Sequence, residues 1–270
     1  MSGVTFLGTA GGRMVVTSQL RKSGGFWLSL AGKNILVDPG PGSLMRSVEL
    51  GLKPASLDCI VLSHKHIDHS NDVNIMIEAM SGGSFRPRGL LLAPSDALEG
   101  DDPVVLRYVR TYIRNNIKVL EPGFKYSLDG NGVGIEVAVR MMHANVEAYG
   151  LKFTFDGKTL GYVTDTKYFN GLPEAFKGCD YLLVNMVRMT HDARFEHLLP
   201  EDVIRVLKVA KPKQVILNHF GMQVVRAKPD AVARRIEKES GVRTIAGADG
   251  MQFSFDTGKA ITEPTISSFT

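Results

Sequence analysis

The sequence predicts an α/β chain of four layers, helix on sheet on sheet on helix. Three observations predict it: a β-patterned opening, a second β-patterned stretch in the middle of the chain, and amphipathic helical segments after each. Two such halves bury most apolar surface when two sheets pack together and the helices cover their outer faces.

Val4–Leu7, Phe26–Leu30 and Asn34–Asp38 are short β-patterned runs divided by glycine-containing turns such as Ala31-Gly32-Lys33, which predicts an antiparallel meander. The apolar run Cys59–Leu62 leads into Ser63-His64-Lys65-His66-Ile67-Asp68-His69, and residues from about Asn71 to Met80 have helical composition, with Asn71 able to cap. Leu90–Ala93 reads as a buried strand. Pro103–Asn116 sets Val105, Tyr108, Val109, Tyr112 and Ile113 at helical spacing behind a proline suited to the first turn, and predicts a packing helix. Strand patterns return at Val133–Arg140, Leu151–Phe155 and Thr159–Val163, the last two joined by Asp156-Gly157, a strong hairpin pair. Tyr181–Asn185 and Gln214–Leu217 flank a helix over about Glu201–Ala210, whose Val203, Val206, Leu207 and Ala210 share one face and which Pro212 stops. A last helix, Pro229–Ser240, ends at Gly241. With no short-period repeat, linker or low-complexity tract, residues 1–270 read as a single domain.

At 270 residues, 44% hydrophobic and 22% charged, the chain can bury a sizeable core, which excludes a disordered chain or a disulfide-stapled miniature. Its 32 Lys plus Arg against 28 Asp plus Glu give a net +4, a lean toward anionic partners that falls short of a dedicated nucleic-acid binder. Phosphorylated small molecules and RNA both stay open. Cys59 and Cys179 lie beside apolar strand residues, as buried thiols do, so a reducing, cytoplasmic setting is expected. The opening MSGVTFLGTAGG has neither a basic n-region nor a long apolar core, and no run of about 18 apolar residues occurs, so secretion and membrane spanning are not expected.

Three of the seven histidines, His64, His66 and His69, fall within six residues together with Asp68. Chance would place H-x-H-x-D-H in roughly one such chain in a few thousand, so ligation is the better reading than coincidence. An extended segment puts His64 and His66 on one face, where two imidazoles converge on a cation, and the following turn aims Asp68 and His69 a few ångströms away. That is a ligand pattern for two metals.

On these residues the sequence resembles the metallo-β-lactamase superfamily of hydrolases, and the resemblance extends over nearly the whole chain. It implies the metallo-β-lactamase fold, an αββα sandwich. It further implies that His143, Asp165 and His219, each after a strand-like run, complete the ligand set. His64, His66 and His143 would hold one ion, Asp68, His69 and His219 the other, and Asp165 both, with Asp38 supporting the ligands from behind. Two divalent ions are implied, zinc first, with manganese or iron suiting the same His/Asp donors. Homodimers are common in the family.

His197 is similar to the extra histidine of the phosphodiesterase branch, which includes the tRNA 3′-end processing nucleases of RNase Z type. There it faces the scissile phosphate, where an imidazolium stabilises charge or protonates the leaving oxygen. Asp68 and His197 are therefore the catalytic candidates. His191, on a polar loop with Arg188 and Arg194, is a candidate substrate contact. Phe6-Leu7-Gly8-Thr9-Ala10-Gly11-Gly12 resembles the start of the same branch, where glycines let backbone approach the site, although an ordinary glycine-rich turn has the same composition. Arg13, Arg21 and Lys22 follow it, either to attract an anion or as solvated surface.

The tRNA-processing enzymes insert a long tRNA-clamping arm between the residues matched by His143 and Asp165. Here only a hairpin's length of chain lies between them, so tight tRNA binding is not expected. The expected activity is hydrolysis of a small or nucleotide-like phosphodiester by a hydroxide shared between two metals. The alternative is acyl hydrolysis of a lactone, thioester or β-lactam at the same site, although several β-lactamases use a Cys ligand that this chain lacks. Redox di-iron members carry Glu where His66 stands, and the complete ligand set argues against a catalytically silent binding protein. Substrate choice is expected to reside in loops such as Ser81–Arg88 and Ala97–Asp102.

Overall fold

The computed structural model describes residues 1–261 apart from Asp129 and Asn131. In chain order its strands are β1 (Gly3–Phe6), β2 (Phe26–Leu30), β3 (Lys33–Val37), β4 (Cys59–Val61), β5 (Leu90–Pro94), β6 (Ile117–Leu120), β7 (Lys125–Leu128), β8 (Val133–Arg140), β9 (Tyr149–Phe155), β10 (Lys158–Val163), β11 (Tyr181–Asn185), β12 (Gln214–Asn218), β13 (Arg243–Ala246), β14 (Gln252–Ser254) and β15 (Lys259–Ile261). They form two mixed sheets, and each sheet with its own helices is a compact unit.

The first unit holds Met1–Thr9, Lys22–Val119 and the chain from Ala248 onward, and its sheet runs β15-β14-β1-β2-β3-β4-β5-β6. β1, β2 and β3 form the expected antiparallel meander. Ala31 (φ 45°) and Gly32 (φ 79°) are both left-handed, as a two-residue turn matching the strand twist requires. From β3 onward the pairing with β4 and β5 is parallel, and all of Cys59–Val61 is buried, as central parallel strands are. Leu36, Ile60, Leu62, Val73, Met76, Ile77, Leu91, Val105 and Val109 belong to one core cluster. Each such side chain contributes about 1.5–3 kcal/mol through burial.

Two helix expectations in this unit need correction. The segment after the histidine motif is two helices, Ile67–Ser70 and Val73–Met80, and Asn71 closes the first, while Asp72 stands at the N-cap of the second. Asn71 itself has helical angles, because the motif turns into a helix before it, and its amide donates to Asp72. Of Pro103–Asn116, only Arg107–Arg110 is α-helical, followed by a 3₁₀ turn over Thr111–Ile113. Leu106 is extended, the Val104 and Val105 N–H groups both donate to the Ala97 carbonyl, and Arg114 and Asn115 turn left-handed. Val105, Val109 and Ile113 are buried nevertheless, so the periodicity reported burial rather than a continuous helix.

The second unit holds Ala10–Arg21 and Leu120–Gly247, with sheet order β13-β12-β11-β10-β9-β8-β7. β7 to β10 are antiparallel, and the β9–β10 hairpin turns on Asp156 (φ 45°) and Gly157 (φ 70°) as expected. β10 to β13 are parallel. Helix Pro200–Ala210 opens with proline in its first turn and Asp202 accepting the Leu199 N–H at 3.1 Å, buries Val203, Val206, Leu207 and Ala210, and stops at left-handed Lys211. Helix Pro229–Ser240 ends at Gly241 (φ 74°) as expected. The helix Gly12–Ser18 begins at the last glycine of the Phe6–Gly12 stretch.

Cys59 and Cys179 are buried free thiols. Burial pushes the Cys59 thiol far up and the Cys179 thiol up to about 11. Among the described residues no helix is long and apolar enough to cross a membrane.

Candidate metal centre

The candidate residues gather at strand ends. In the first unit Asp38 follows β3 and Ser63–His69 follow β4, while in the second His143 lies beyond β8, Asp165 beyond β10 and His219 directly after β12. Carboxyl ends of parallel strands are where open α/β sheets collect ligand-binding loops.

In the first unit a buried relay organises the motif. Asp38 is 2% exposed and left-handed at φ 53°. Its Oδ1 accepts the Ser63 N–H at 2.6 Å, and its Oδ2 accepts the Ser63 hydroxyl at 2.7 Å and the His69 Nδ1–H at 3.0 Å. A carboxylate only accepts, so His69 carries its hydrogen on Nδ1 and keeps the Nε2 lone pair for a cation. Ser63 spends its one hydrogen on Asp38, so its Oγ, 3.0 Å from His64 Nδ1, accepts from His64 and leaves that ring's Nε2 a donor to metal as well. Asp38 thus orients two histidines, the supporting role the family resemblance implies.

The rest of the loop is held by close packing. The His64 ring lies 4.8 Å from that of His66 and 4.0 Å from that of His69. Ser70 Oγ donates to the carbonyls of Lys65 and His66, and Asp72 N–H donates to the Pro39 carbonyl. A Cβ on Gly40 would collide with the Asp68 carbonyl, which explains glycine beside Asp38. His66 and Asp68 remain partly exposed, while His64 and His69 are buried.

In the second unit three imidazoles converge on one carboxylate oxygen. Asp165 Oδ2 lies 3.7 Å from His143 Nε2, 3.6 Å from His197 Nδ1 and 3.5 Å from His219 Nε2. All three separations exceed ordinary hydrogen-bond lengths, and those from the Nε2 atoms of His143 and His219 suit groups sharing a cation. Asp165 Oδ1 accepts from Asn185 Nδ2 at 2.8 Å, and the same amide reaches the Tyr162 hydroxyl at 3.3 Å. His143 Nδ1 faces the Glu196 carbonyl at 3.0 Å, and since a carbonyl only accepts, its Nε2 is likewise a lone-pair donor. Glu196 ties Lys167, whose ammonium holds the Glu196 carboxyl below its usual range. Buried carboxylate and imidazole donors with fixed tautomers fit divalent first-row cations, and these clusters can bind metal.

His219 is left-handed (φ 59°) and is gripped by the opening loop. Ala10 bridges Phe220, the Gly11 N–H donates to the Phe220 carbonyl at 3.0 Å, and a Cβ on Gly11 would collide with the His219 carbonyl. The glycines do permit a close backbone approach, here to a candidate ligand.

Residues 33–220 match the family described as the beta-lactamase superfamily domain. The chain belongs to the metallo-β-lactamase superfamily. Within it the motif pattern and several relatives are similar to the RNase Z-like branch. An uncharacterised protein of Methanocaldococcus jannaschii is 29% identical over 95% of this chain and 96% of its own length. Ribonuclease Z of Streptomyces avermitilis is 24% identical, covering 84% of this chain and 89% of its own. The crystal structure of the metallo-β-lactamase fold protein YhfI from Bacillus subtilis has a TM-score of 0.76 at 19% identity, covering 93% of this chain and 98% of the other. The shared fold is the metallo-β-lactamase α/β fold expected from the sequence, and superfamily membership makes the chain a metallo-hydrolase.

Around these clusters of the superfamily member, His191 is exposed, and Arg188 and Arg194 both bind Asp192, at 3.3 Å and 2.9 Å. Their guanidinium groups also lie over the Phe195 ring. Arg13 and Lys22 are exposed, and Arg21 lies over the Phe220 ring. Sequence reasoning missed Ser63, Asn185, Glu196 and Lys167. Ser63 at least carried a signal, since it immediately precedes the motif.

Proposed function

We propose that the chain is one hydrolase domain, a dinuclear metal-dependent phosphodiesterase acting on a small or nucleotide-like phosphodiester. In this reading His64, His66 and His143 ligate one ion, Asp68, His69 and His219 the other, and Asp165 both, as the family resemblance implies. Zinc is the first choice for both ions. When bound, they would supply a water nucleophilic near neutral pH and neutralise charge on the phosphoryl oxygens.

The protein's own residues do the rest. Asp38 and Ser63 hold the His64 and His69 tautomers, and Asn185 holds the Asp165 carboxylate. Asp68, partly exposed beside buried His69, would orient the attacking water in this reading. The observation that carries the phosphodiester reading is His197, a further imidazole 3.6 Å from Asp165 whose ring lies 5.1 Å from that of His143. With Nδ1 toward the carboxylate, its Nε2 can present a proton to the departing oxygen. The short connections from His143 to Asp165, a loop into β9 and a two-residue hairpin turn, support a small substrate over a clamped tRNA. Two buried, reduced thiols support a cytoplasmic setting.

The test is steady-state turnover of metal-loaded protein on bis-p-nitrophenyl phosphate, on a phosphodiester with an alkoxide leaving group, and on a lactone panel. His197→Ala is expected to keep its metal and lose about 10²–10⁴ in kcat on the alkoxide ester, and less with p-nitrophenolate, which hardly needs a proton. Unchanged phosphodiester turnover at full metal content, or lactones turned over better than phosphodiesters, would favour the acyl-hydrolase alternative.

A further inference from the structure

We infer that Glu196 is a positioning residue that holds His197 in place for acid catalysis, an inference that rests on the phosphodiesterase reading of this site. His197 lies in the irregular segment between β11 and helix Pro200–Ala210, so neither strand nor helix hydrogen bonds fix its backbone. The segment is tied at two places. Near its start, Gln223 Oε1 accepts the N–H groups of Met189 at 2.9 Å and Thr190 at 3.3 Å. Near its end, Glu196 makes three separate attachments to the strand ends that carry the ligands.

The Glu196 Oε2 accepts the Ala144 N–H at 2.5 Å, and its Oε1 pairs with Lys167 Nζ at 2.5 Å. Its backbone carbonyl accepts the His143 Nδ1–H at 3.0 Å. Ala144 is the left-handed residue (φ 46°) just after His143, and Lys167, two residues beyond Asp165, donates its own N–H to the Met142 carbonyl. One side chain therefore fastens the loop bearing His197 to the turns that carry His143 and Asp165. Removing the carboxylate leaves the carbonyl bond to His143 in place and frees the neighbouring imidazole. A misplacement of about 1 Å in a proton-transfer group lowers rate by up to about 100-fold.

The experiment is a double-mutant cycle on metal-loaded protein, with Glu196→Ala, His197→Ala and the pair assayed on alkoxide and p-nitrophenolate phosphodiesters. Expected for Glu196→Ala are unchanged metal content, a loss of about 10–100-fold on the alkoxide ester, and a smaller loss on the p-nitrophenolate ester. In the His197→Ala background it should add no further loss, and Glu196→Gln, which still accepts the Ala144 N–H, should retain more activity than Glu196→Ala. Equal losses with both leaving groups, additive losses in the pair, or metal release would overturn the assignment. Tryptic cleavage after exposed Arg194 reads the tie without any substrate. Glu196→Ala should speed it at least tenfold, and an unchanged rate refutes the tie even if phosphodiesters prove not to be substrates.

Discussion

Replacing Asp38 by Asn tests whether a buried carboxylate sets the tautomers of the candidate metal-binding histidines. Asp38 accepts three hydrogen bonds, from the Ser63 N–H, the Ser63 hydroxyl and the His69 Nδ1–H. Asparagine tolerates the left-handed backbone at this position and nearly matches the shape, but offers one carbonyl oxygen and one NH₂. With its oxygen toward the Ser63 N–H, its NH₂ meets the His69 Nδ1–H donor to donor. His69 relieves that clash by moving its hydrogen to Nε2, which removes the lone pair that ligation needs. With the amide flipped, the NH₂ meets the Ser63 N–H instead. Either arrangement strands a buried donor, at about 1–3 kcal/mol. Loss of such a supporting partner lowers metal affinity about 10–100-fold, or about 1.4–2.8 kcal/mol. Chelator competition reads the affinity, and urea unfolding of the metal-free protein reads the stability. Asp38→Ala should lose more stability, because alanine also resists the left-handed backbone and leaves a cavity. Wild-type metal affinity in Asp38→Asn would refute the idea that the carboxylate controls the His69 tautomer.

Gly11→Ala should destabilise the fold by about 1–3 kcal/mol and lower metal content, since its methyl would collide with the carbonyl of His219; equal metal content and melting temperature would show that the loop yields. Neither Cys59 nor Cys179 should react with a disulfide reagent at pH 8 until the protein is unfolded, and rapid labelling of the native protein would contradict their burial. Burial raises the Cys179 thiol in the folded state from about 9 in an unfolded chain to about 11. The stability it contributes is therefore complete below about pH 9 and lost as pH rises toward 11, a decline that denaturant titrations across that window should resolve and that Cys179→Ala should reduce. Precursor tRNA should bind weakly and be cleaved poorly at its 3′ junction, and nanomolar binding with efficient cleavage would demand an RNA-binding surface other than the missing arm.

Local sequence determined what local physics can determine. The His64–His69 cluster was legible because its donors lie within one strand-to-helix passage. The turns at Ala31-Gly32 and Asp156-Gly157 were legible because short hairpins need left-handed residues at those places, and helices Pro200–Ala210 and Pro229–Ser240 because their apolar faces and termini agree. Strands β6, β7, β13, β14 and β15 were not legible: they are short, and β6, β7 and β15 are largely exposed, so their hydrogen bonds to distant partners define them better than any apolar alternation. The same limit hid the supports of the candidate centre. That Asp38 meets Ser63 and His69 and that Asn185 meets Asp165 follows from parallel pairing, which sets strand ends from distant parts of the chain side by side, whereas Glu196 meets Ala144 and Lys167 through the course of the irregular segment after β11. The sequence alone determined which side chains could ligate metal; the tertiary structure decided which way rings such as those of His69 and His143 face, because their hydrogen-bond partners, Asp38 and Glu196, lie tens of residues away.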